Sequence, residues 1–378
     1  MEKIGVVGAG AMGMGIAQVA AKAGHQVVVY DQMPEARTKA ANALETALNQ
    51  LVSKEKITID AKNSVVNNII FATDYQPFAA CNLVIEAVVE NIEVKKQVFQ
   101  NLENFVSDAC ILATNTSSLS VTSIAAACAK PERFVGLHFF NPATLMPLVE
   151  VIPALQSGQN HVQFSYDLMV KWGKCPVLAK DTPGFIVNRI ARPYYGESIK
   201  ILEENIASAE NIDAAMRNLG FKMGPFELMD FIGHDVNYAV TQSVFAAFFF
   251  DRRYLPSHTQ QRLVEAGYLG RKSNRGFYEY PQSKEELTNF HATPQTKYIQ
   301  ERILAMLINE ACEAVYLQIA NEPDIELAMT KGVNYPKGLF AWAAEKGYKY
   351  WLTVLQDLQK KYADTRYRPS ILLQNLAE

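Results

Sequence analysis

Apolar residues follow two regimes along the chain. Up to about residue 180, short β-branched runs alternate with longer amphipathic stretches; beyond it, only helical spacing remains. The strand-like runs are Ile4–Val7, Gln26–Tyr30, NLVIEAVVE at 82–90, Cys110–Ala113, Arg133–Phe139 and Leu148–Ile152. The run at 82–90 is nearly all apolar, as a central parallel strand requires, although Glu86 and Glu90 interrupt it. Helical stretches are expected over 34–68 and from about Ile92 to Phe105. This alternation predicts an α/β domain over residues 1–180. Asp181-Thr182-Pro183 reads as a helix start, with Asn188 in its second turn and Arg192 one turn further on the same face.

The helical part is written twice. ENIASAENIDAAM (204–216) matches LQIANEPDIELAM (317–329) without gaps. Arg189, Glu197 and Ile212 find counterparts in Arg302, Glu310 and Ile325, each 113 positions on. MGPFELMD is echoed by PKGLFAWA. We therefore expect a first all-α domain over 181–280, a polar linker over 281–297 and a second, tandem all-α domain over 298–378. The second copy lacks a nucleotide domain of its own and has Glu301 where the first has Asn188, so it is expected to be non-catalytic. Helical units that cannot bury their faces alone pack on copies of themselves, and that packing is expected here within one chain.

A length of 378 residues exceeds one ordinary core. A net charge of -3 provides no global field for nucleic acid. The five cysteines are scattered without C-x-x-C spacing, which supports neither a disulfide framework nor a metal site and points to a reducing, cytoplasmic setting. The longest aromatic run, Phe245–Phe250, is too short for a bilayer, so no membrane partner is expected. Ile4–Val7 already reads as a strand, leaving no room for a signal peptide.

The chemistry begins with Gly8, Gly10 and Gly13, spaced G-x-G-x-x-G between the first strand and a helix of small residues. With Ala11 and Met12 they form a turn whose backbone can approach a pyrophosphate at the helix N-terminus. Asp31 closes the second strand, 23 positions after Gly8, where a carboxylate holds ribose hydroxyls and repels a 2′-phosphate. Together these predict a Rossmann-like fold and NAD as cofactor. Glu90 is placed at a strand's carboxyl end, where ligands bind. Lys95 is unfavourable in the first turn of a helix, so it either meets a ligand or is simply exposed. Lys54 and Lys56 either lean over a ligand or form a solvated basic turn. In the turn Asn115-Thr116-Ser117-Ser118, one residue is expected to cap the next helix and the others to be available to a ligand.

GLHFFNPATLMPLVEVI (136–152) carries His138 and, twelve positions on, Glu150. An imidazole can take a proton near neutral pH, and a carboxylate on its other nitrogen sets the tautomer. By spacing alone an equal reading stands, in which His138 ends a strand and Glu150 bridges elsewhere.

GAGAMG…YD, EAVVE, NTSS, GLHFFNP, LVEVI and DTPGFIVNR occur in the order and spacing of the 3-hydroxyacyl-CoA dehydrogenase family, and MGPFELMDFIG and LGRKSNRGFYEY extend the resemblance over residues 1–280. The resemblance implies NAD-dependent oxidation of (S)-3-hydroxyacyl-CoA, with His138 as base and Glu150 as its partner. Ser117 and Asn188 match positions that hydrogen-bond the substrate's 3-oxygen; Asp31, Glu90, Lys95, Ser117 and Asn141 match cofactor contacts. Two other readings are a sugar-acid dehydrogenase, against which GLHFFNP argues, and a non-catalytic NAD-binding protein, against which the intact site argues. The doubled helical domain resembles the phenylacetate-degradation type of the family, though with a shorter linker. In short family members two chains dimerise through the helical domain, and the second copy is expected to take the partner's place. Arg192 is expected either to meet the far carboxylate of a 3-hydroxyadipyl chain or to pair with a surface acid.

Overall fold

The computed structural model describes residues 2–281 and 294–378; most of the expected linker lies outside them. The chain divides into two compact units, one ending at Thr182 and the other beginning at Pro183.

The first unit is an eight-stranded sheet. Its strands are β1 (Lys3–Val7), β2 (Gln26–Tyr30), β3 (Ile69–Ala72), β4 (Leu83–Glu86), β5 (Ile111–Thr114), β6 (Phe134–Phe139), β7 (Leu148–Pro153) and β8 (Cys175–Leu178). Their order is β3-β2-β1-β4-β5-β6-β7-β8, parallel except for the antiparallel β6–β7 pair. The order reverses at β1–β4, the switch point where doubly wound sheets bind ligands. The unit's helices are α1 (Ala11–Lys22), α2 (Pro34–Ser53), α3 (Ile59–Asn67), α4 (Ile92–Glu103), α5 (Val121–Ala125) and α6 (Gln159–Lys171). Ile4, Val6, Val27, Val29, Ile85 and Ala113 bury one sheet face in the core.

Several boundaries differ from expectation. Strand β4 ends at Glu86, so Glu90 lies in the following loop, four residues past the sheet. Strands β3 and β8 were not legible: each is four residues long, and β8 carries Pro176, which only an edge strand tolerates. Residues 181–186 form no helix, because Gly184 and Phe185 both have positive φ (74° and 45°). The helix starts at Val187, which puts Asn188 in its first turn. The Asp181 carboxylate instead caps α5, accepting the Val121 and Thr122 N–H groups at 3.1 and 2.7 Å.

The second unit contains α7 (Val187–Ile190), α8 (Arg192–Glu203), α9 (Ala209–Asn218), α10 (Pro225–Ile232), α11 (His234–Ala247) and α12 (His258–Glu265). They are followed by α13 (Thr296–Tyr316), α14 (Glu322–Gly332), α15 (Leu339–Lys346), α16 (Tyr348–Tyr362) and α17 (Ile371–Ala377). The two sets correspond feature by feature. Ser208 caps α9 and Asn321 caps α14. Asp213 accepts the N–H groups of Phe226 and Glu227 at the start of α10, and Glu326 does the same for Phe340 and Ala341 at the start of α15. Where Pro193 separates α7 from α8, the second copy has Met306 and α13 runs unbroken.

Helices α7 and α8 pack along α13 and exchange buried ion pairs with it. Arg189 of the first copy donates to Glu310 of the second at 2.6 Å, and Arg302 of the second donates to Glu197 of the first at 3.0 Å. A second pair of arginines completes the pattern. Arg253 and Tyr254 reach Glu310 at 3.2 and 2.5 Å; Arg366 and Tyr367 reach Glu197 at 2.9 and 3.0 Å. Residue i of one copy meets residue j of the other, and j meets i, as in a twofold interface. The repeated segment behind the second pair, DRRYLPS (251–257) and DTRYRPS (364–370), escaped the sequence reading.

Candidate active site

The centre of the first unit's site is the β6–β7 pair. His138 and Glu150 are directly opposed in the antiparallel register, so both side chains project from the same face of the sheet. His138 Nδ1–H donates to Glu150 Oε2 at 2.6 Å, and both groups are buried. The carboxylate accepts, so the proton resides on Nδ1, and Nε2 becomes the proton-accepting atom. Phe140 lies against the imidazole, with ring centroids 4.5 Å apart. Lys174 Nζ donates to the carbonyls of Ala143 and Met146, tethering the loop that carries Asn141; Asn141 itself is exposed.

The neighbouring strand ends are organised by two glutamates. Glu86 is wholly buried and accepts Val88 N–H, Thr114 Oγ1–H and Lys95 Nζ–H, each at 2.7 Å. Lys95 is buried too, and also reaches Glu90 at 3.2 Å. It is therefore not an exposed lysine: two carboxylates offset its unfavourable position at the helix start. Glu90 Oε1 accepts from Thr116 Oγ1 at 2.6 Å, from the backbone N–H groups of Ser117 and Ser118 at 3.0 and 3.2 Å, and from Ser118 Oγ at 3.0 Å. Burial pushes the Glu90 carboxyl up, but Lys95 and these donors hold it below the ordinary carboxylate value.

The polar turn therefore does not cap the following helix as expected. Ser120 and Asp181 do that, while Thr116, Ser117 and Ser118 close around Glu90. Asn115 Oδ1 accepts the Phe139 N–H at 2.9 Å, tying the turn to the end of β6 beside His138. Sequence reading missed Glu86, Asp181 and Asn115 as organisers of the site. The one available signal was Glu86, an ionisable residue inside an apolar strand.

The glycine turn fits a dinucleotide. Gly8 has φ of +108°, and a Cβ there would sit 2.5 Å from the Ala87 carbonyl oxygen. A Cβ at Gly13 would lie 1.9 Å from the Gly8 carbonyl oxygen, so strand and helix approach too closely for any side chain. At Gly10 a Cβ would meet nothing within 4 Å. Gly10 caps α1 without a side-chain hydrogen bond, leaving its first-turn N–H groups, those of Ala11 and Met12 among them, to face an anion. Asp31 follows directly on β2 and accepts the N–H groups of Ala9 at 2.8 Å and Met33 at 3.0 Å, which orients its carboxylate beside the turn.

Lys54 and Lys56 lie in the turn between α2 and α3 and are both exposed. In the second unit, Asn188 sits in α7 and its carbonyl accepts Arg192 Nε–H at 3.0 Å. No group of three or more His, Cys, Asp or Glu among the described residues could hold a metal, and no described helix is long and apolar enough to cross a membrane.

Comparison with known proteins matches residues 3–182 to the 3-hydroxyacyl-CoA dehydrogenase NAD binding domain. The C-terminal domain of the same family matches twice, over 184–280 and 298–378. The chain is 39% identical to the 3-hydroxyadipyl-CoA dehydrogenase of Escherichia coli K12, over 100% of this chain and 98% of that protein. It is 44% identical to a probable 3-hydroxybutyryl-CoA dehydrogenase of Deinococcus radiodurans, over 74% of this chain and 100% of the relative. A crystal structure of a 3-hydroxybutyryl-CoA dehydrogenase from E. coli K12 superposes with a TM-score of 0.94 at 39% identity, covering 100% of this chain and 98% of that one.

Proposed function

The chain belongs to the 3-hydroxyacyl-CoA dehydrogenase family of NAD-dependent oxidoreductases, and from that premise we propose that His138 and Glu150 carry out the oxidation of an (S)-3-hydroxyacyl-CoA. The observation that carries this reading is the 2.6 Å hydrogen bond between the two side chains on adjacent strands.

His138 Nε2 takes the proton of the substrate's 3-hydroxyl as the C3–O bond becomes a carbonyl. Glu150 keeps the second proton on Nδ1 and stabilises the imidazolium that forms. Bound NAD would supply the acceptor for the hydride lost from C3. Gly8, Gly10, Ala11, Met12 and Gly13 cradle its pyrophosphate and Asp31 its ribose; Glu90, Lys95, Ser117 and Asn141 serve its nicotinamide end. In this reading Ser117 and Asn188 donate to the 3-oxygen and stabilise the charge it carries during transfer. Glu90 holds Ser117 in place, and the buried Glu86–Lys95 pair in turn holds Glu90. Lys54 and Lys56, as exposed cations, suit the phosphates of coenzyme A.

The substrate is an acyl-CoA, and the relatives are named for both butyryl and adipyl chains. Formation of reduced nicotinamide, followed by absorbance with 3-hydroxybutyryl-CoA, tests the proposal. His138→Gln should lower kcat by about 10³-fold or more with little change in KM. Retention of wild-type kcat would remove His138 from the mechanism. We also place the enzyme in the cytoplasm and as a single-chain species in which the second helical copy stands in for a partner; light scattering should give a monomer.

A further inference from the structure

Six arginines are buried among the described residues: Arg133, Arg189, Arg192, Arg253, Arg302 and Arg366. Five have a glutamate within 4.0 Å, namely Glu103, Glu197 or Glu310. Arg192 is the exception. It donates to the carbonyl of Asn188 at 3.0 Å, to that of Asn237 at 3.5 Å and to Thr241 Oγ1 at 3.2 Å, and its guanidinium lies over the Tyr195 ring at 4.8 Å. All of these partners are neutral. Burial presses its charge down, and only the phenols of Tyr195 and Tyr335 oppose that. A buried cation without an anion is costly, and an anionic ligand would offset that cost.

A second group points to the same place. Tyr335 is buried, and its hydroxyl has no hydrogen-bond partner among the described residues. The ring is wedged against Tyr194, Phe221 and, through Phe221, Trp342. Tyr194, 6.0 Å from the Tyr335 ring, packs in turn at 5.8 Å on Tyr195, the ring that Arg192 covers, so arginine and phenol border the same tyrosine pair. Tyr335 belongs to the second helical copy, in the loop after α14. At these helix starts the two copies run one residue further apart, 114 positions (Phe226 and Phe340), which sets Phe221, with no hydroxyl, opposite Tyr335.

We propose that Arg192 and Tyr335 together bind a carboxylate at the far end of the substrate's acyl chain, so that the preferred substrates are 3-hydroxy-dicarboxylyl-CoA thioesters. This rests on the dehydrogenase reading, in which Asn188 meets the 3-oxygen. Arg192 stands one helical turn beyond Asn188, about 5–6 Å along the same face. In a six-carbon diacid the terminal carboxyl lies three bonds beyond C3, about 4 Å in an extended chain. The second helical copy then contributes the phenol that completes the specificity site, although it has no catalytic residue of its own.

The test compares kcat/KM for 3-hydroxyadipyl-CoA and 3-hydroxyhexanoyl-CoA, thioesters of equal chain length that differ in the terminal carboxylate. The wild-type enzyme should favour the adipyl thioester at least tenfold. Arg192→Met should abolish that preference without lowering Tm, since it removes an unpaired buried charge; a merely structural arginine would lower Tm and leave the ratio alone. Should Arg192→Met fail to fold, Tyr335→Phe reads the same ratio and should reduce the preference about threefold to tenfold. Equal kcat/KM for both thioesters in the wild type, or a ratio that neither variant moves, overturns the proposal alone. Turnover of neither thioester overturns the dehydrogenase reading and this proposal with it.

Discussion

The same stretch of chain occurs twice in the helical unit with opposite outcomes. In the first copy it is broken on both sides of Asn188: Gly184 and Phe185 sit at positive φ before it, and Pro193 ends the hydrogen-bond ladder after it. In the second copy α13 runs for 21 residues without interruption. The residue at the place of Asn188 is Glu301, which accepts from Lys346 at 3.0 Å and also from the Tyr350 hydroxyl. A non-glycine residue at positive φ costs of order 1–3 kcal/mol, and such costs persist where function over-rides local preference. The copy with the irregular backbone is the one we assign to catalysis. The regular copy keeps the shared interface and one recognition phenol.

That contrast can be broken at the interface first. Glu197 and Glu310 each take two arginines and a tyrosine from the other copy, so Glu197→Gln and Glu310→Gln should each cost about 3–5 kcal/mol in urea unfolding. Equal costs would mean that the crossed pairing is energetically symmetric. A tolerated change at one glutamate would show that only one half of the interface carries the load. The catalytic asymmetry comes next. Asn188→Ala should lower kcat by about 10²-fold, and Glu301→Gln should leave it within about twofold. Similar losses at both positions would end the division of labour between the copies.

The smallest effect lies where the symmetry is already imperfect. Asp364 receives Arg252 through two hydrogen bonds of 3.0 Å, whereas its counterpart Asp251 has Arg368 only at 4.0 Å. The Arg252 hydrogen bonds hold the Asp364 carboxyl down at about 2, against its burial. A carboxyl with a depressed folded pKa stabilises the fold above its ordinary value and loses that contribution as the pH falls through the folded value. Asp364→Asn should therefore cost about 1 kcal/mol at pH 7. The gap between variant and parent should shrink as the pH is lowered from 4 toward 2. A gap independent of pH would assign the loss to packing.

The sheet was legible because strands buried on both faces are written as continuous apolar runs, and the glycine turn because its steric demands admit no other residue. Strand β8 was hidden by its length and by Pro176. The helix expected at Asp181 was a misreading of a local signal: an aspartate before Thr-Pro looks like a cap, but this one caps α5, sixty residues earlier. The Asn115–Ser118 turn was misread for a similar reason. Its hydroxyls serve Glu90, a partner more than 25 positions away, and no local pattern announces such a pairing. His138 and Glu150 were legible as a candidate pair because two short strands separated by a brief loop bring positions 138 and 150 into register. The crossed glutamate clusters were only half visible: the offset of 113 revealed Arg189, Glu197 and their counterparts, but not that each arginine would reach the other copy's glutamate.

The crossed ion pairs also impose a timetable on synthesis. Glu310 follows Arg189 by 121 residues, and Arg366 follows Glu197 by 169. At about 5–20 residues per second, Arg189 is synthesised roughly 6–24 seconds before its glutamate. Throughout that interval the first helical copy carries Arg189 and Glu197 without the partners that pair them in the finished fold.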